Sequence, residues 1–299
     1  MGDIKKPATR MIRDRRGTLH LEYLHFKKSS PVIHGIFTRL GGQSTGPFSS
    51  LNVGLSTGDS REMVEKNRQL VADALGIGPE VYLNQIHSNK VLVLKRSMDG
   101  QFRHAATCTS TQDTIQSTID GQPSDFSNYN CQTADAMVTD IPGLALVIQV
   151  ADCQPIFLVD PVKKVVANIH SGWKGSIQNI LGKTIDEMVN NFGSTPQTIL
   201  AGIGPSLGPC CSEFINYSRE IPEHLWKYKD EKDHFDFWRI SVDQLTGKGL
   251  KSENITLAGI CTRCAADTFF SYRHNTTTGR FAAVIKLETV LENEGINET

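Results

Sequence analysis

The chain has 299 residues, and its 31 Lys and Arg against 32 Asp and Glu give a formal net charge of −1. This balance excludes a polybasic protein that binds nucleic acid by neutralising phosphates. The longest apolar run, 143–150, is far shorter than the ~20 residues that cross a bilayer. Seven irregularly spaced cysteines and no apolar signal segment predict a soluble cytoplasmic protein with reduced thiols.

The first half of the chain predicts short strands, one helix and a long polar insertion. Runs of β-forming residues predict strands at 19–26, 33–38, 81–83 and 91–94. Apolar residues at helical spacing predict a helix that Asp59 caps, with Glu62 completing a capping box and Gly76 ending it. The stretch 97–131 is rich in polar residues without apolar periodicity, which favours a long loop or insertion.

The second half alternates strands and helices more clearly. Predicted strands are 144–150, 155–159, 164–169, 199–203, 255–260 and 281–285. Predicted helices are 176–192 and 242–250. The irregular alternation favours an α+β fold with mixed sheets. The expected organisation is an N-terminal arm or edge strand over 1–30 and a single domain over 31–299, with the polar insertion inside it.

Three reactive side chains are predicted at strand ends, where open sheets usually bind ligands. Cys153 follows the strand 144–150, His170 follows 164–169, and His87 lies between two short strands. Two imidazoles and a thiolate are donors that suit Zn²⁺, and three protein ligands leave a fourth position for water or substrate. Their spacing matches no compact zinc motif, so a buried cysteine and two hydrogen-bonded histidines remain an alternative from spacing alone.

The same residues allow a different catalytic use. Cys153 can act as a thiolate nucleophile with His170 as its general base, oriented by Asp152 or by a backbone group. One sulfur cannot be a resting metal ligand and a free nucleophile at the same time. The two uses therefore predict opposite responses to metal removal.

Several basic and polar residues are candidates for binding a phosphate. Arg39 lies in FTRLGG, Lys174 in the turn HSGWKG, and Arg273 near the C-terminal end of the chain. Asn52, in SSLNVG, is a candidate hydrogen-bond donor to a ligand. Arg280 is weighed in the same way, but a β-turn around Thr278 and Gly279 is the preferred explanation of the segment that holds Arg273 and Arg280.

A CxxC pair, Cys261 and Cys264, raises the question of a second metal site. The other available thiols, Cys210 and Cys211, are adjacent in sequence and are expected to be a poor tetrahedral pair. Packing is therefore the prediction for these four cysteines.

The motifs together resemble a known family. The chain contains, in this order, HGIFTRLGGQSTGPFSSLNVG, VEKNR, QIHSNKV, ADAMVT, ADCQPIFLVD, IHSGWKG, GIGPSLGPCC and FFSYRHNTTTGR. Over about 34–285 this is similar to the YfiH-type family, also called laccase-domain or polyphenol oxidase proteins. The resemblance implies a zinc-dependent purine nucleoside phosphorylase with adenosine deaminase activity. It also implies a single four-layer α/β/β/α domain of the CNF/YfiH-like cysteine hydrolase type.

The resemblance assigns the metal to His87, Cys153 and His170, with Cys153 and His170 also as catalytic residues. It implies zinc, with copper possible, and cleavage of adenosine, inosine and methylthioadenosine by phosphate. Arg39, Asn52, Lys174 and Arg273 are the expected substrate and phosphate contacts. The expected partners are purine nucleosides and phosphate, with no nucleic acid or membrane, in a monomer or weak homo-oligomer.

The chain departs from the family pattern at three positions and in one segment. Ser171 and Lys174 stand where Ala and Arg are common, and Arg263 replaces an aromatic residue. The segment 97–131 is longer than the family's usual link. A Cys-His hydrolase and a copper polyphenol oxidase remain alternative enzymes, and a metal-binding protein without enzymatic activity remains an alternative class. The nine histidines, scattered without HxH pairs, argue against a multicopper site.

Overall fold

The computed structural model describes residues 9–29, 31–78, 80–96, 102–106 and 132–289. Within these residues the chain forms thirteen strands and six α-helices, with the strands arranged in two β-sheets. Both sheets contain parallel and antiparallel pairs, so the predicted α+β class with mixed sheets is confirmed. No helix in the described part of the chain is long and apolar enough to span a membrane.

The first six strands are β1 (Thr9–Arg13), β2 (Leu19–Tyr23), β3 (Val32–Phe37), β4 (Glu80–Tyr82), β5 (Val91–Arg96) and β6 (Phe102–Ala106). The remaining strands are β7 (Ala136–Thr139), β8 (Ala145–Val150), β9 (Gln154–Asp160), β10 (Val165–Ser171), β11 (Leu200–Ile203), β12 (Ile255–Leu257) and β13 (Phe281–Leu287). The helices are α1 (Leu24–Ser29), α2 (Arg61–Leu75), α3 (Trp173–Ile177), α4 (Ile180–Phe192), α5 (Tyr217–Glu220) and α6 (Phe237–Gly247).

The six-stranded sheet has the order β1-β2-β3-β13-β8-β4, and the seven-stranded sheet has the order β12-β11-β9-β10-β7-β5-β6. The parallel pairs are β4 with β8, β5 with β7, and β11 with β12. Strands β8 and β9 are consecutive in the chain but lie in different sheets. The short connection between them therefore crosses from one sheet to the other, and Cys153 lies in it.

The two sheets pack against each other because alternate side chains of their strands share one apolar cluster. In β8, Leu146 and Ile148 belong to this cluster, and in β9 so do Phe157 and Val159. The intervening residues of each strand point the other way, as the period of two in a strand requires. Both faces of β8 and β9 are therefore buried, which explains their almost continuously apolar sequences.

Helices cover the outer faces of the two sheets. Helix α2 packs on the six-stranded sheet, where Val71 and Leu75 share a cluster with Val147 of β8. On the seven-stranded sheet, Ile185 of α4 and Leu245 of α6 share a cluster with β9. A smaller cluster, around Phe235 and Phe237, joins the polar segment before α6 to the first turn of that helix.

Helix starts account for two differences from the sequence prediction. The predicted helix 176–192 is two helices, α3 and α4, because Asn179 adopts a left-handed conformation (φ 53°) and its side chain accepts from the Gly182 N–H. The predicted N-cap Asp59 is not the cap, since α2 has Ser60 there. The Asp59 carboxylate instead accepts from Ser44 Oγ at 2.6 Å and Asn52 Nδ2 at 2.9 Å.

Other boundaries also differ from the prediction. The helix predicted at 242–250 is α6, which begins earlier, and Gly76 ends α2 in the left-handed conformation as predicted. Of the predicted loop 97–131, residues 102–106 form β6, which pairs with β5 in an antiparallel hairpin. The rest of that stretch lies outside the described residues. So do residues 1–8 of the predicted arm, whose later part forms β1, β2 and α1.

Candidate metal centre

The structure brings His87, Cys153 and His170 together at one end of the sheets. Antiparallel pairing of β9 and β10 sets Gln154 opposite Ser171, so Cys153 and Gly172 are the next residues beyond the paired ends. His170 is the penultimate residue of β10 rather than a residue after it. His87 lies in the loop between β4 and β5.

The donor atoms of the three residues lie within 4.8 Å of one another. The Cys153 Sγ is 3.6 Å from Nε2 of His87. The rings of His87 and His170 meet edge to face, with centroids 4.7 Å apart and planes at 79°. One thiolate and two imidazoles facing a common point form a three-ligand set with room for a fourth ligand, the arrangement of catalytic zinc sites.

Asp135 positions both histidines. Its Oδ1 lies 2.8 Å from Nδ1 of the buried His170, which leaves Nε2 of that ring available to a metal. The same carboxylate accepts from the backbone N–H of His87 at 2.9 Å, and from the N–H and Oγ of Ser88, each at 2.6 Å. The carboxylate therefore fixes His170 through its ring and His87 through its backbone, as carboxylates that support metal-binding histidines do.

The electrostatics of the cluster favour a charge-separated pair at neutral pH. Burial alone would raise the pKa of Cys153, but His170 and His87 outweigh it and lower this pKa to about 6. Burial would lower the pKa of His170, yet Cys153 and Asp135 raise it to about 9. Burial would likewise raise the pKa of Asp135, but hydrogen bonds from His170 and Ser88 lower it to about 2. These opposite shifts favour a Cys153 thiolate next to a His170 imidazolium when no metal is bound.

Backbone geometry at the centre is tight. A Cβ on Gly172 would lie 2.7 Å from Cδ2 of His87 and 3.0 Å from the Cys153 Sγ, so only glycine fits at this position. His87 and Asp152 both have positive φ, 60° and 85°, an uncommon conformation for residues with a Cβ. Conformations of this kind persist where surrounding contacts hold them, often at functional sites.

Asp152 supports the Cys153 loop from the other side. Its carboxylate accepts from Thr262 Oγ1 at 2.7 Å and from the Arg273 N–H at 2.6 Å, and its backbone oxygen accepts from the Leu207 N–H at 2.8 Å. From its place in the sequence, Asp152 was a candidate to orient the Cys153–His170 pair. The residue that contacts His170 is Asp135 instead, while Asp152 ties the loop to neighbouring segments.

His87, Cys153 and His170 line a cavity of about 630 Å³. Its walls include aromatic side chains, which are Trp173, Phe214, Phe237 and Tyr272. Polar and cationic groups also line it, among them Asn84, Gln149, Ser212, Arg273 and Arg280. The volume lies within the range typical of small-molecule sites, and this mixture of rings and polar groups suits an amphipathic ligand.

Of the four residues predicted to contact substrate, the structure brings only Arg273 to the cavity. Arg39 donates to the backbone oxygens of Ser49, at 2.7 Å, and Ala266, at 2.9 Å. Asn52 is fully buried and accepts from the Arg280 N–H at 2.8 Å. Both side chains contact neighbouring segments of the chain, and neither they nor the exposed Lys174 are among the residues that line the cavity.

Two residues that matter here carried weaker sequence signals. Asp135 lies in the block ADAMVT, where a carboxylate directly before a buried strand is a signal that could have singled it out. Arg280 was weighed as a ligand contact but a turn was preferred, whereas its side chain lines the cavity. Burial lowers the pKa of this guanidinium, and the negative charges of Cys153 and Asp152 oppose that change.

The chain is similar in sequence and in structure to several known proteins. A family model described as multi-copper polyphenol oxidoreductase laccase matches residues 33–288. The purine nucleoside phosphorylase YlmD of Bacillus subtilis is 29% identical over 294 residues, covering 94% of this chain and 95% of that protein. The purine nucleoside phosphorylase YfiH of Escherichia coli is 30% identical over 258 residues, covering 84% and 91%. The crystal structure of YlmD from Geobacillus stearothermophilus superposes with a TM-score of 0.75 at 27% identity, covering 93% of this chain and 99% of that one.

Proposed function

Since this chain belongs to the multi-copper polyphenol oxidoreductase laccase family, which includes the YfiH proteins, we propose that it is a zinc-dependent purine nucleoside phosphorylase. The substrates would be adenosine, inosine and methylthioadenosine, cleaved by phosphate to a free base and a ribose 1-phosphate. The convergence of His87, Cys153 and His170 on one cavity wall is the observation that carries this proposal. The names of the relatives supply the reaction type.

The ligand set fits zinc better than copper. A thiolate with two imidazoles suits Zn²⁺, and the Asp135 hydrogen bond prepares His170 to coordinate through Nε2. Within the described residues, donor atoms gather in two groups, and neither contains more than two histidines. A multicopper oxidase needs many more imidazoles, so the oxidase activity in the family description is not proposed.

The cavity offers groups suited to each part of a nucleoside and to phosphate. Phe214 and Tyr272 provide rings for contact with a purine, and Arg273 and Arg280 provide the positive charge for phosphate. Ser212 Oγ is buried in the wall and has no hydrogen-bond partner among the described residues. An orphaned hydroxyl of this kind is suited to a hydrogen bond with a sugar or phosphate oxygen.

In phosphorolysis a phosphate oxygen forms a bond to C1′ of the ribose while the bond from C1′ to purine N9 breaks. The electron pair of that bond stays on the purine, which takes up a proton as it leaves. The two arginines would hold the phosphate for attack, and the aromatic wall would exclude water that otherwise competes with it. When bound, zinc supplies Lewis acidity that polarises a substrate oxygen or its attacking group.

The test measures zinc content together with phosphate-dependent release of hypoxanthine from inosine. We expect the wild-type protein to need both phosphate and metal. We expect Cys153→Ala to lose the metal of this centre and turnover together. Turnover without phosphate, or full zinc loading at this centre in the variant, would contradict the proposal. Ammonia release from adenosine in the same samples tests the accompanying deaminase activity.

A second candidate function rests on one specific observation. Cys153, His170 and Asp135 have the order of a nucleophile, base and orienting carboxylate, with the base held at 2.8 Å from the carboxylate. Such a site would hydrolyse an amide or peptide bond without metal, in agreement with the cysteine hydrolase fold that the sequence resemblance implies. Activity that survives a chelator but is abolished by thiol alkylation would favour this candidate over the phosphorylase.

A further inference from the structure

Four cysteines outside the candidate metal centre converge in the structure. Cys210 and Cys211 follow β11, Cys261 and Cys264 follow β12, and their sulfur atoms all lie within 4.8 Å of one another. The Sγ of Cys264 is 3.6 Å from that of Cys210 and 3.5 Å from that of Cys211. The sequence predicted only that these residues pack in the protein. That prediction is incomplete, because the fold brings all four sulfur atoms close together.

Strand pairing explains how two distant pairs meet. Strands β11 and β12 are parallel neighbours, so the segments that leave their carboxyl ends begin side by side. The pairing continues beyond the strands, where Ser206 N donates to Ile260 O at 3.1 Å and Thr262 N donates to Ser206 O at 3.0 Å. This places Cys261 next to the turn that carries Cys210 and Cys211.

The turn that carries Cys210 and Cys211 contacts the sulfur of Cys261 through Gly208. The N–H of Gly208 donates to the Cys261 Sγ at 3.3 Å, a contact that favours a thiolate. A Cβ at Gly208 would lie 3.1 Å from the Cys261 Cβ and 2.8 Å from Cη2 of Trp238, so the approach depends on glycine. Cys211 and Cys261 are buried and Cys210 and Cys264 are exposed, so the cluster lies at the protein surface.

The separations suit a shared metal ion. Ligands on a tetrahedral zinc with Zn–S distances of about 2.3 Å lie roughly 3.8 Å apart. The spacings of 3.5 and 3.6 Å at Cys264 are close to that value. The adjacency of Cys210 and Cys211 in sequence, expected to be a poor tetrahedral pair, does not prevent this, because both sulfurs reach Cys264.

We propose that Cys210, Cys211, Cys261 and Cys264 bind a second zinc ion in a closed, structural site. Four thiolates fill a tetrahedral shell and leave no position for substrate, so the site has no catalytic role. It joins two segments that both supply the cavity wall, Phe214 and Ser212 from one, and Tyr272 and Arg273 from the other. The ion would fix the shape of the substrate cavity from outside it.

Elemental analysis of the purified full chain, grown with zinc, distinguishes the two centres. We expect two zinc ions per chain in the wild type and one in Cys264→Ser, whose exposed position accommodates serine. We expect one in Cys153→Ala and none in the double variant. Arg263→Ala, a change at an exposed residue between the two cysteines that removes no thiol, should keep two.

Cobalt provides a second readout that does not depend on turnover. Co²⁺ bound by four thiolates should give strong tetrahedral absorption bands that Cys264→Ser and Cys210→Ser lose and Cys153→Ala retains. Unchanged zinc content in both serine variants would overturn the proposal, as would a disulfide among these cysteines in protein purified without reductant. A wild-type protein with a single zinc ion, retained in Cys153→Ala and lost in Cys264→Ser, would support the four-cysteine site. The same result would show that the proposed active centre binds no zinc.

Discussion

Asp135 Oδ1 lies 2.8 Å from Nδ1 of His170, and the carboxylate is fully buried. Four further donors, the N–H groups of Ile86, His87 and Ser88 and the Ser88 hydroxyl, hold the same carboxylate in place. His87 and His170 thus share one anchor. Asp135 is a positioning residue for the proposed metal centre, since it would act on a bound ion only through these two histidines.

Replacing Asp135 with asparagine should weaken zinc binding without removing a ligand. The amide carries no charge to favour a basic His170, and its NH₂ group cannot accept from the donors that surround the carboxylate. We expect the zinc dissociation constant to rise about 10- to 100-fold, the usual range for such partners. Competition with a chromophoric chelator measures it.

The matched control is Asp186→Asn, at an exposed carboxylate that pairs with Lys248, neither of which lines the cavity. This variant should bind zinc as the wild type does. Since Asp135→Asn also affects a buried cluster, its circular dichroism and melting curve need to show a folded protein. Equal dissociation constants in a folded Asp135→Asn variant and the wild type would exclude the positioning role.

The close approach at Gly172 predicts a second effect on the centre. In Gly172→Ala the new methyl group would lie 2.7 Å from His87 Cδ2 and 3.0 Å from Cys153 Sγ, so one ligand has to move. We expect a loss of stability of about 1–3 kcal/mol, as for other overpacked sites. Zinc at this centre and phosphorolysis should fall together.

Gly247→Ala is the control for that substitution, because nothing lies within 4 Å of the position its Cβ would take at the end of α6. Thermal unfolding and elemental analysis compare the two variants. A Gly172→Ala protein with full zinc content and full activity would show that the ligands are not confined as the structure indicates.

The sequence predicted the scaffold well wherever apolar patterning alone decides it. The run 143–150 and the strand 155–159 are apolar because β8 and β9 are buried on both faces, and the structure confirms both strands. The break at Asn179 could not be predicted in this way, because helical periodicity continues through it. There a side-chain hydrogen bond starts a new helix.

The candidate site was predicted in part. Reactive residues at strand ends pointed to His87, Cys153 and His170, which the structure brings together. Asp135 and the four-cysteine cluster depend on contacts between segments distant in sequence, which motif spacing does not encode. The direction in which a side chain points is likewise not set by residue type. Lys174 and Arg273 were therefore equally good phosphate candidates from the sequence, although only Arg273 lines the cavity.

The charge pair at the centre predicts the pH dependence of Cys153 reactivity in zinc-free protein. Only the thiolate reacts with iodoacetamide, and the lowered pKa of about 6 keeps it populated above that pH. The alkylation rate of Cys153, followed by peptide mass spectrometry, should therefore reach half its maximum near pH 6. An ordinary thiol would do so about two to three pH units higher.

His170→Ala should move this profile to higher pH, because the imidazolium that stabilises the thiolate is lost while burial still opposes charge. Adding zinc to the wild type should protect Cys153 at every pH. A half-maximum above pH 8 in the zinc-free wild type would show that no thiolate–imidazolium pair forms.

Arg273 and Lys174 were equal candidates for phosphate binding from the sequence, but they differ in their position relative to the cavity. Both were candidates for phosphate, but Arg273 lines the cavity and Lys174 is exposed outside it. Loss of a hydrogen bond to a charged group costs roughly 1.5–3 kcal/mol, so Arg273→Ala should raise the KM for phosphate about 10- to 100-fold. Lys174→Ala should leave it unchanged, and steady-state phosphorolysis of inosine at varied phosphate measures both. A raised KM in the lysine variant with an unchanged one in the arginine variant would instead place the phosphate site at the start of α3, where Lys174 lies.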